Sequence, residues 1–376
     1  MQREPCTPRP DWQLRCEKAG FAYHSIGGTY WDESACYSFT AEEVDLLESA
    51  TDELHGLCLE ACDYIVQRGR LHDFAIPEAF WGYVAESWRA EEPTLFGRFD
   101  LAWNGHGDPK LLEYNADTPT ALVEASVAQW FWLQDVFPAH DQFNSLHERL
   151  IARWGELGET LPEATVVYFA CARDSEEDLG NVQYLRDTAT QAGLVTQHIF
   201  VEDIGWSEEE GAFVDLGNLP IEAAFKLYPW EWLARERFGP HILNRSCRWI
   251  EPAWKMLLSN KAILAVLWEL FPGHANLLPC YFDAGPLSGD YVRKPLLSRE
   301  GANVSLRRRG GAMMTGGSYG AEGYVYQALA PLAEFAEKYA VIGSWIVGDT
   351  PAGIGVREDD TPITSNTSRF LPHYFK

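Results

Sequence analysis

Two short strand-like runs, separated by a polar turn, place four functional side chains on one surface. Arg98 and Asp100 lie two residues apart in the first run, and Glu113 and Asn115 lie two apart in the second. Residues two apart on a strand point to the same face. The connecting segment 104–109 contains Asn, Gly, Asp and Pro, which predicts a hairpin turn. A turn centred on this segment pairs Asp100 with Glu113 and Arg98 with Asn115.

The predicted hairpin brings two carboxylates face to face. Like charges directly opposite each other on a sheet are destabilising, so Asp100 and Glu113 require a cation between them. Mg²⁺ takes oxygen ligands, and we therefore predict Asp100, Glu113 and Asn115 as a metal site. The alternative is an exposed face with cross-strand ion pairs to Arg98, but apolar residues fill most other positions of both runs.

The composition limits the classes of partner. The 376 residues carry a formal net charge of −25, which disfavours nucleic acid and anionic membranes and suits a cationic substrate such as a polyamine, or simply solubility. The eight cysteines include no pair of Cys-x2-Cys motifs, so we expect no zinc site. A polar start and the lack of a long apolar run predict a cytoplasmic protein with reduced thiols and no membrane span. The oligomeric state is left open.

The pattern along the chain predicts an α/β (α+β) fold with four regions. Residues 1–90 read as mainly helical, 91–140 as the hairpin and a helix, 160–250 as a β-α-β subdomain, and 255–376 as a mixture of helix, strands and glycine-rich loops. The β-α-β unit lacks a G-x-G-x-x-G turn, which argues against a dinucleotide fold. The predicted elements are helices over 44–68, 121–136, 143–157, 174–193 and 259–270, and strands over 165–170, 194–201, 221–228, 291–296, 324–329, 341–347 and 352–357.

Two lysines are candidates for binding phosphate. Lys294 lies in a strand-like run and is followed by a polar loop that contains Gly301, and Lys261 lies at the start of a helix. A lysine beside a flexible glycine-bearing loop is an arrangement that nucleotide phosphates require, although no Walker A motif is present. Each lysine could instead be a solvated surface residue. The segment Gly310–Gly323, with six glycines after three arginines, is either a lid over a nucleotide or a surface loop.

Two further features leave alternatives open. Arg357 ends a strand and could bind a phosphate or a carboxylate, or form a surface ion pair. The strand 324–329 could carry an adenine through backbone hydrogen bonds, or it could be an ordinary core strand.

The chain contains the sequence blocks RFD, LLEYNADTPT, SNKAIL, YVRKPLLSREGANV, YVYQAL and GSWIVGDTPAGIGVRED. These blocks, in this order over most of the chain, resemble the synthetase domain of the glutathionylspermidine and trypanothione synthetase family. The resemblance is to shorter, free-standing bacterial members without the amidase domain. It implies an ATP-grasp fold and an ATP-dependent carboxylate–amine ligase, in which ATP and Mg²⁺ convert a carboxylate into an acyl phosphate that an amine attacks.

The resemblance also implies a role for each candidate residue. The metal ligands are Asp100, Glu113 and Asn115; the groups that stabilise the reacting centre are Arg98 and Arg357; the ATP-phosphate contacts are Lys261, Lys294 and Gly301; and the adenine-contacting hinge is Gln327, Ala328 and Leu329. The Glu-x-Asn motif precedes both lysines, which resembles a circularly permuted ATP-grasp with an inserted β-α-β substrate subdomain.

The substrates are less defined than the reaction class. Thr118-Pro119-Thr120 stands where full-length synthetases carry small serines, so the acid is predicted only as a small-molecule or peptide carboxylate. The partner is an amine, with a polyamine as one candidate. Two other functions are compatible with the same motifs: a non-catalytic ATP-binding module and an ATP-dependent small-molecule kinase.

Overall fold

The computed structural model describes residues 1–366 and 368–376 as a mixed α/β fold with several sheets. The α-helices are α1 (Trp12–Lys18), α2 (Ala41–Arg68), α3 (Glu78–Arg89), α4 (Gln129–Val136), α5 (Leu146–Glu159), α6 (Glu176–Gln191), α7 (Trp230–Leu233), α8 (Lys255–Leu258) and α9 (Ala262–Leu270). The strands are β1 (Gln2–Pro5), β2 (Ala35–Phe39), β3 (Phe96–Ala102), β4 (Lys110–Asn115), β5 (Val166–Cys171), β6 (Val195–Phe200), β7 (Gly205–Ser207), β8 (Ala212–Val214), β9 (Ala223–Leu227), β10 (Arg248–Ile250), β11 (Cys280–Tyr281), β12 (Tyr291–Pro295), β13 (Ser305–Arg308), β14 (Gly311–Met314), β15 (Tyr324–Ala328), β16 (Ala333–Phe335), β17 (Lys338–Val347), β18 (Thr350–Asp359), β19 (Arg369–Leu371) and β20 (His373–Phe375).

The predicted hairpin forms one side of the central antiparallel sheet, whose order is β19-β18-β17-β3-β4. Asp100 lies opposite Glu113 and Arg98 opposite Asn115, which confirms the predicted register, and a bulge follows Asp100. On the other side, Gly343 of β17 lies opposite Asp100. A Cβ at Gly343 would lie 2.9 Å from Cδ of Arg98, so this glycine leaves room for the arginine side chain.

A parallel sheet with the order β10-β9-β5-β6 confirms the predicted β-α-β unit and its third strand. Helix α6 connects β5 to β6, and Ser175 caps it by accepting a hydrogen bond from the backbone N–H of Asp178. After β6 the chain returns to the other side of β5, where it forms β9. The direction in which strands are added to the sheet therefore reverses between β5 and β9. Open α/β sheets bind ligands at such a switch point, beyond the carboxyl ends of the strands.

The third sheet has the order β11-β15-β12-β13-β14 and carries Lys294 on β12 and Gln327 on β15. Part of the segment Gly310–Gly323 is not a loop, because residues 311–314 form the exposed strand β14 and pair with β13. The turn between these strands is only two residues long and contains Gly310, which permits a tight reversal. The sequence pattern does not indicate this strand, because glycine is depleted in strands.

The N-terminal region is mainly helical, as predicted, but it also contains the strands β1 and β2. Helix α2 begins at a capping box formed by Thr40 and Glu43. However, β1 and β2 form a sheet with β20 from the other end of the chain, a pairing that local sequence patterns do not show. Among the residues described, none of the helices combines the length and the apolar character that crossing a bilayer requires.

Candidate active site

Two clefts meet at the polar face of the hairpin. The first, of about 1010 Å³, lies between the third sheet and the central sheet, and its walls include Lys261 and Lys294. The second, of about 820 Å³, lies beside the carboxyl edge of the parallel sheet. Four residues line both clefts: Asp100, Glu113, Gly301 and Thr364. A molecule in either cleft would therefore contact the two carboxylates of the hairpin.

Arg98 is buried and faces the second cleft. Its Nε donates to Oδ1 of Asp100 at 2.7 Å, and its Nη2 donates to Oδ2 at 3.2 Å. Its Nη1 donates to the backbone carbonyl of Thr120 at 2.7 Å. Burial raises the pKa of Asp100 although Arg98 opposes this shift. The bidentate pair fixes the orientation of the guanidinium at the junction of the clefts.

Glu113 is surrounded by positive charge. Its Oε2 lies 3.0 Å from Nζ of Lys261. The same Nζ donates to the backbone carbonyl of Ser298 at 2.6 Å. Burial alone would raise the pKa of Glu113, but Lys261 and then Lys294 outweigh burial and lower it to about 2. Glu113 is therefore ionised near pH 7.

The side-chain amide of Asn115 joins the two carboxylates. Its Nδ2 donates to Oε1 of Glu113 at 3.2 Å and to Oδ2 of Asp100 at 3.4 Å, so both carboxylates converge on one point. Within residues 1–366 and 368–376, no cluster of three or more His, Cys, Asp or Glu side chains has metal-binding geometry. The predicted ligand set has two carboxylates and needs an amide oxygen as its third donor. Half a rotation of the Asn115 amide would supply that oxygen, and such a donor set fits a hard divalent cation.

The side chain of Lys294 is buried, and its ammonium group is hydrogen-bonded within the protein. Its Nζ donates to Oε1 of Gln327 at 2.7 Å and to the carbonyl of Leu112 at 2.8 Å. Burial lowers the pKa of Lys294 to about 8, although Glu113 opposes the shift. Gln327 is itself buried and donates to the carbonyl of Leu111 at 2.9 Å. The side chain of Gln327 therefore orients Lys294 and connects the third sheet to the hairpin.

The other two residues predicted to contact adenine, Ala328 and Leu329, line the first cleft. Their backbone N–H groups are already used, because Ala328 donates to the carbonyl of Pro279 at 2.7 Å and Leu329 donates to that of Asp290 at 3.0 Å. Adenine recognition by this strand stays a prediction, and it cannot use these two N–H groups without breaking those bonds.

Gly301 and Arg357 lie at the junction of the clefts. Gly301 has φ of +67°, and a Cβ there would lie 2.3 Å from the carbonyl oxygen of Thr364. Arg357 of β18 donates from Nη2 to the carbonyl of Ser365 at 2.6 Å. Its buried Nε has no hydrogen-bond partner in the described part of the chain. Arg357 also lines the second cleft, so its guanidinium lies beside any ligand bound there.

The structure adds Arg299 to the residues identified from sequence. It spans the second cleft, donating to Oγ1 of Thr118 at 2.6 Å and to Oε1 of Glu231 at 2.9 Å, and it lies over the ring of Trp232 at 5.9 Å. The available sequence signal was its position in the polar loop after Lys294. The distant partners that make it part of the cleft cannot be identified from local sequence.

Acidic side chains also lie at the second cleft and in the protein interior close to it. Asp178 lines it, and burial together with Glu177 raises the pKa of Asp178 to about 6. Glu124 is fully buried near Arg357, and burial and Glu177 raise its pKa to about 7. This side of the cleft combines carboxylates with arginines, so it presents groups for both a cationic and an anionic ligand.

A buried ion pair connects the hairpin to the parallel sheet. Nζ of Lys226 on β9 lies 2.5 Å from Oδ1 of Asp117, and both side chains are almost fully buried. The backbone N–H of Trp230 donates to Oδ2 of Asp117 at 2.9 Å. Asp117 follows the Glu113–Asn115 motif by two residues, so this pair positions the loop that continues into Thr118 and Thr120.

The chain resembles several curated proteins along most of its length. A Haemophilus influenzae protein, provisionally named an acid–amine ligase, is 44% identical over 98% of this chain and 97% of its own. The trypanothione synthetase of Crithidia fasciculata is 28% identical over 85% of this chain, and the bifunctional glutathionylspermidine synthetase/amidase of Escherichia coli is 26% identical over 89%. The matches cover only 53% and 58% of those two longer proteins.

The comparisons of structure and of family agree with these similarities. A glutathione synthetase-like effector of Globodera pallida, in its apo form, superposes with a TM-score of 0.59 over 98% of both chains at 10% identity, which shows a shared fold. The family model described as "Glutathionylspermidine synthase preATP-grasp" matches residues 3–376. The chain therefore belongs to the glutathionylspermidine synthase preATP-grasp family.

Proposed function

We propose that this chain is an ATP-dependent carboxylate–amine ligase that forms an amide through an acyl phosphate, on a circularly permuted ATP-grasp fold. One observation carries the proposal: Asp100 and Glu113 form a wall between a cleft that contains two lysines and a cleft that contains three arginines. Phosphoryl transfer between two substrates requires such a shared wall, since the reacting groups must meet in line. The names of the relatives support the same reaction class.

The first cleft has the properties of a nucleotide site. Its apolar wall suits an adenine ring and contains Val292, Val304, Leu306, Val341 and Ile363. Lys261 and Lys294 supply positive charge for the phosphates, and the loop at Gly301 allows close approach of the backbone. Asp100, Glu113 and Asn115 would hold Mg²⁺, which neutralises phosphate charge when it is bound.

The second cleft would hold the acid and the amine. A carboxylate oxygen of the acid attacks the γ-phosphorus of ATP, the bond from that phosphorus to the bridging oxygen breaks, and ADP leaves. The amine then attacks the acyl carbon, phosphate departs with the carbon–oxygen bond pair, and the amine loses a proton. Arg98 and Arg357 orient the carboxylate and stabilise the negative charge that develops on the tetrahedral centre.

The electrostatics of the second cleft indicate the classes of its substrates. Arg98, Arg299 and Arg357 would attract a small-molecule or peptide carboxylate, whereas Asp178 would favour an amine with positive charge, such as a polyamine. The acyl phosphate must be protected from water, and β13–β14 with the following loop is the segment that would cover the first cleft.

The decisive experiment supplies the purified chain with Mg-ATP and a panel that crosses small and peptide acids with polyamines and neutral amines. A ligase releases ADP and phosphate only when both the acid and the amine are present. With the carboxylate enriched in heavy oxygen, one labelled oxygen must appear in the released phosphate. A phosphorylated product without free phosphate would instead indicate a kinase, and nucleotide binding without turnover on any pair would indicate a binding module.

A further inference from the structure

Two thiols lie in contact at the N-terminal sheet, far from the hairpin in sequence. Cys6 directly follows β1, Cys36 lies in β2, and their sulfur atoms are 3.0 Å apart. Strand pairing explains this contact: Glu4 lies opposite Cys36, and the backbone N–H of Cys6 donates to the carbonyl of Ser34 at 2.9 Å. The two cysteines are therefore diagonal neighbours on one face of an antiparallel pair, where side chains can meet.

We propose that Cys6 and Cys36 form a thiol–disulfide modification site, which a small disulfide converts into an intramolecular cross-link. Both cysteines are free thiols in this structure. A disulfide bond is about 2.05 Å long, so the two sulfur atoms need to approach by only about 1 Å. The proposal does not depend on the ligase activity.

The two thiols differ in access to solvent, which sets the order of the reaction. Cys6 is partly exposed, whereas Cys36 is 0% exposed. The hydrogen bond with Cys36 lowers the pKa of Cys6, while burial and the carboxylates of Glu4 and Glu33 oppose this shift. A thiolate that solvent can reach is the attacking nucleophile in thiol–disulfide exchange. Cys6 is therefore the attacking thiol and Cys36 the resolving thiol.

The reaction balances with glutathione disulfide as the oxidant. The Cys6 thiolate attacks one sulfur of glutathione disulfide, the sulfur–sulfur bond breaks, and one glutathione leaves as a thiolate that takes up a proton. Cys36 then loses its proton and attacks the sulfur of Cys6, and the second glutathione leaves. Two protein thiols are oxidised and one glutathione disulfide is reduced to two thiols. Because burial and the hydrogen bond raise the pKa of Cys36, the second step is the slower one.

The cross-link would join β1 and β2, two strands that contact β18 next to the candidate active site. Arg3 of β1 donates to Glu358 at 2.6 Å, and the hydroxyl of Tyr37 on β2 donates to the same carboxylate at 2.7 Å. Glu358 adjoins Arg357 on β18. Oxidation would hold β1 against β2 and thereby restrict the motion of both partners of Glu358.

The test treats the folded full-length chain with glutathione disulfide and measures intact mass and linked peptides. The expected product has lost two hydrogen atoms and yields a peptide pair joined through Cys6 and Cys36. Cys36→Ser should stop at a mixed disulfide, gaining the mass of one glutathione on Cys6, and Cys6→Ser should stay unmodified. Cys16→Ser is the matched control, because Cys16 is a buried neighbour of this region and burial raises its pKa to about 12. This control should behave like the parent chain.

Three results would overturn the proposal. The parent chain could keep a stable glutathione adduct on Cys6 without closing the cross-link. Another cysteine could react faster than Cys6 in the folded protein. The cross-link could form only after urea unfolds the chain. Peptide mapping of the parent chain alone separates these outcomes, so the test remains decisive if a serine variant folds poorly. A cross-linked chain should also melt at a higher temperature than the reduced chain, because the closed loop restricts the unfolded state.

Discussion

Substitution of Gly301 by alanine tests the junction between the two clefts. Gly301 and Gly69 share a φ of +67°, so alanine is conformationally unfavourable at both positions. At Gly69, the C-cap of α2, a Cβ would meet nothing within 4 Å. At Gly301 it would lie 2.3 Å from the carbonyl oxygen of Thr364, which lines both clefts. Gly69→Ala is therefore a matched control for backbone strain without a clash.

The expected magnitudes follow from these two environments. The left-handed conformation costs about 1–2 kcal/mol for alanine, and both variants should lose this much unfolding free energy. At Gly301 the carbonyl of Thr364 must also retreat by about 1 Å, and a displacement of that size in an active site reduces turnover by about 100-fold. We expect kcat/KM of the ATP-dependent reaction to fall by about 100-fold in Gly301→Ala and to stay unchanged in Gly69→Ala.

The assay combines urea unfolding of both variants with ATP turnover under the most active acid–amine pair. Full turnover by Gly301→Ala, with the same loss of stability as Gly69→Ala, would refute the role of this loop in aligning the clefts. An equal loss of turnover in both variants would attribute the effect to general destabilisation.

Three further predictions concern charge. Glu113→Gln should reduce turnover by about 100-fold or more while the chain stays folded, because the missing charge no longer helps to hold a cation; Asp108→Asn, on the exposed hairpin turn, is the control, and both are measured by ADP release. Lys294 has a pKa of about 8, below its ordinary value of 10.5, so it loses its positive charge as the pH rises through 8, and ATP affinity measured by calorimetry should then weaken. The unfolding free energy should increase between pH 8 and 10.5, because the unfolded chain then binds a proton at this lysine that the folded chain does not bind. Lys226→Met should lower the unfolding free energy in urea by about 3–5 kcal/mol, because it leaves the carboxylate of Asp117 buried without its partner, and adding Asp117→Asn should recover part of the loss.

Each charge prediction has a distinct contrary result. Unfolding of Glu113→Gln would make the residue structural. An ATP affinity that is flat around pH 8, or that changes equally in Lys294→Met, would exclude titration of this lysine as the cause. A loss below about 1 kcal/mol in Lys226→Met would show that water or another group replaces the partner of Asp117.

The sequence predicted the hairpin register because the features that determine this register are local. Alternation with a period of two, a short turn and four polar residues at fixed spacing leave one pairing that puts Asp100 opposite Glu113. The same holds for α2, whose capping box at Thr40 defines its start, and for the β-α-β unit. In each case neighbours in sequence are also neighbours in space, so no distant part of the chain is needed.

Non-local pairing decided the rest. The sheet β1-β2-β20 joins the two ends of the chain and brings Cys6 to Cys36. The packing of this sheet against β18 brings Arg3 to Glu358. Gln327 stays a predicted adenine contact, and only the packing of the third sheet on the hairpin gives its side chain hydrogen bonds with Lys294 and Leu111.

The sequence by itself therefore determined which residue types face one another within a hairpin or a single β-α-β unit. Only the tertiary structure brought Lys261 to Glu113 and gave the two clefts a common wall. The physical reason is that burial and charge pairing depend on elements separated by more than a hundred residues, and their contacts form only when the sheets pack together.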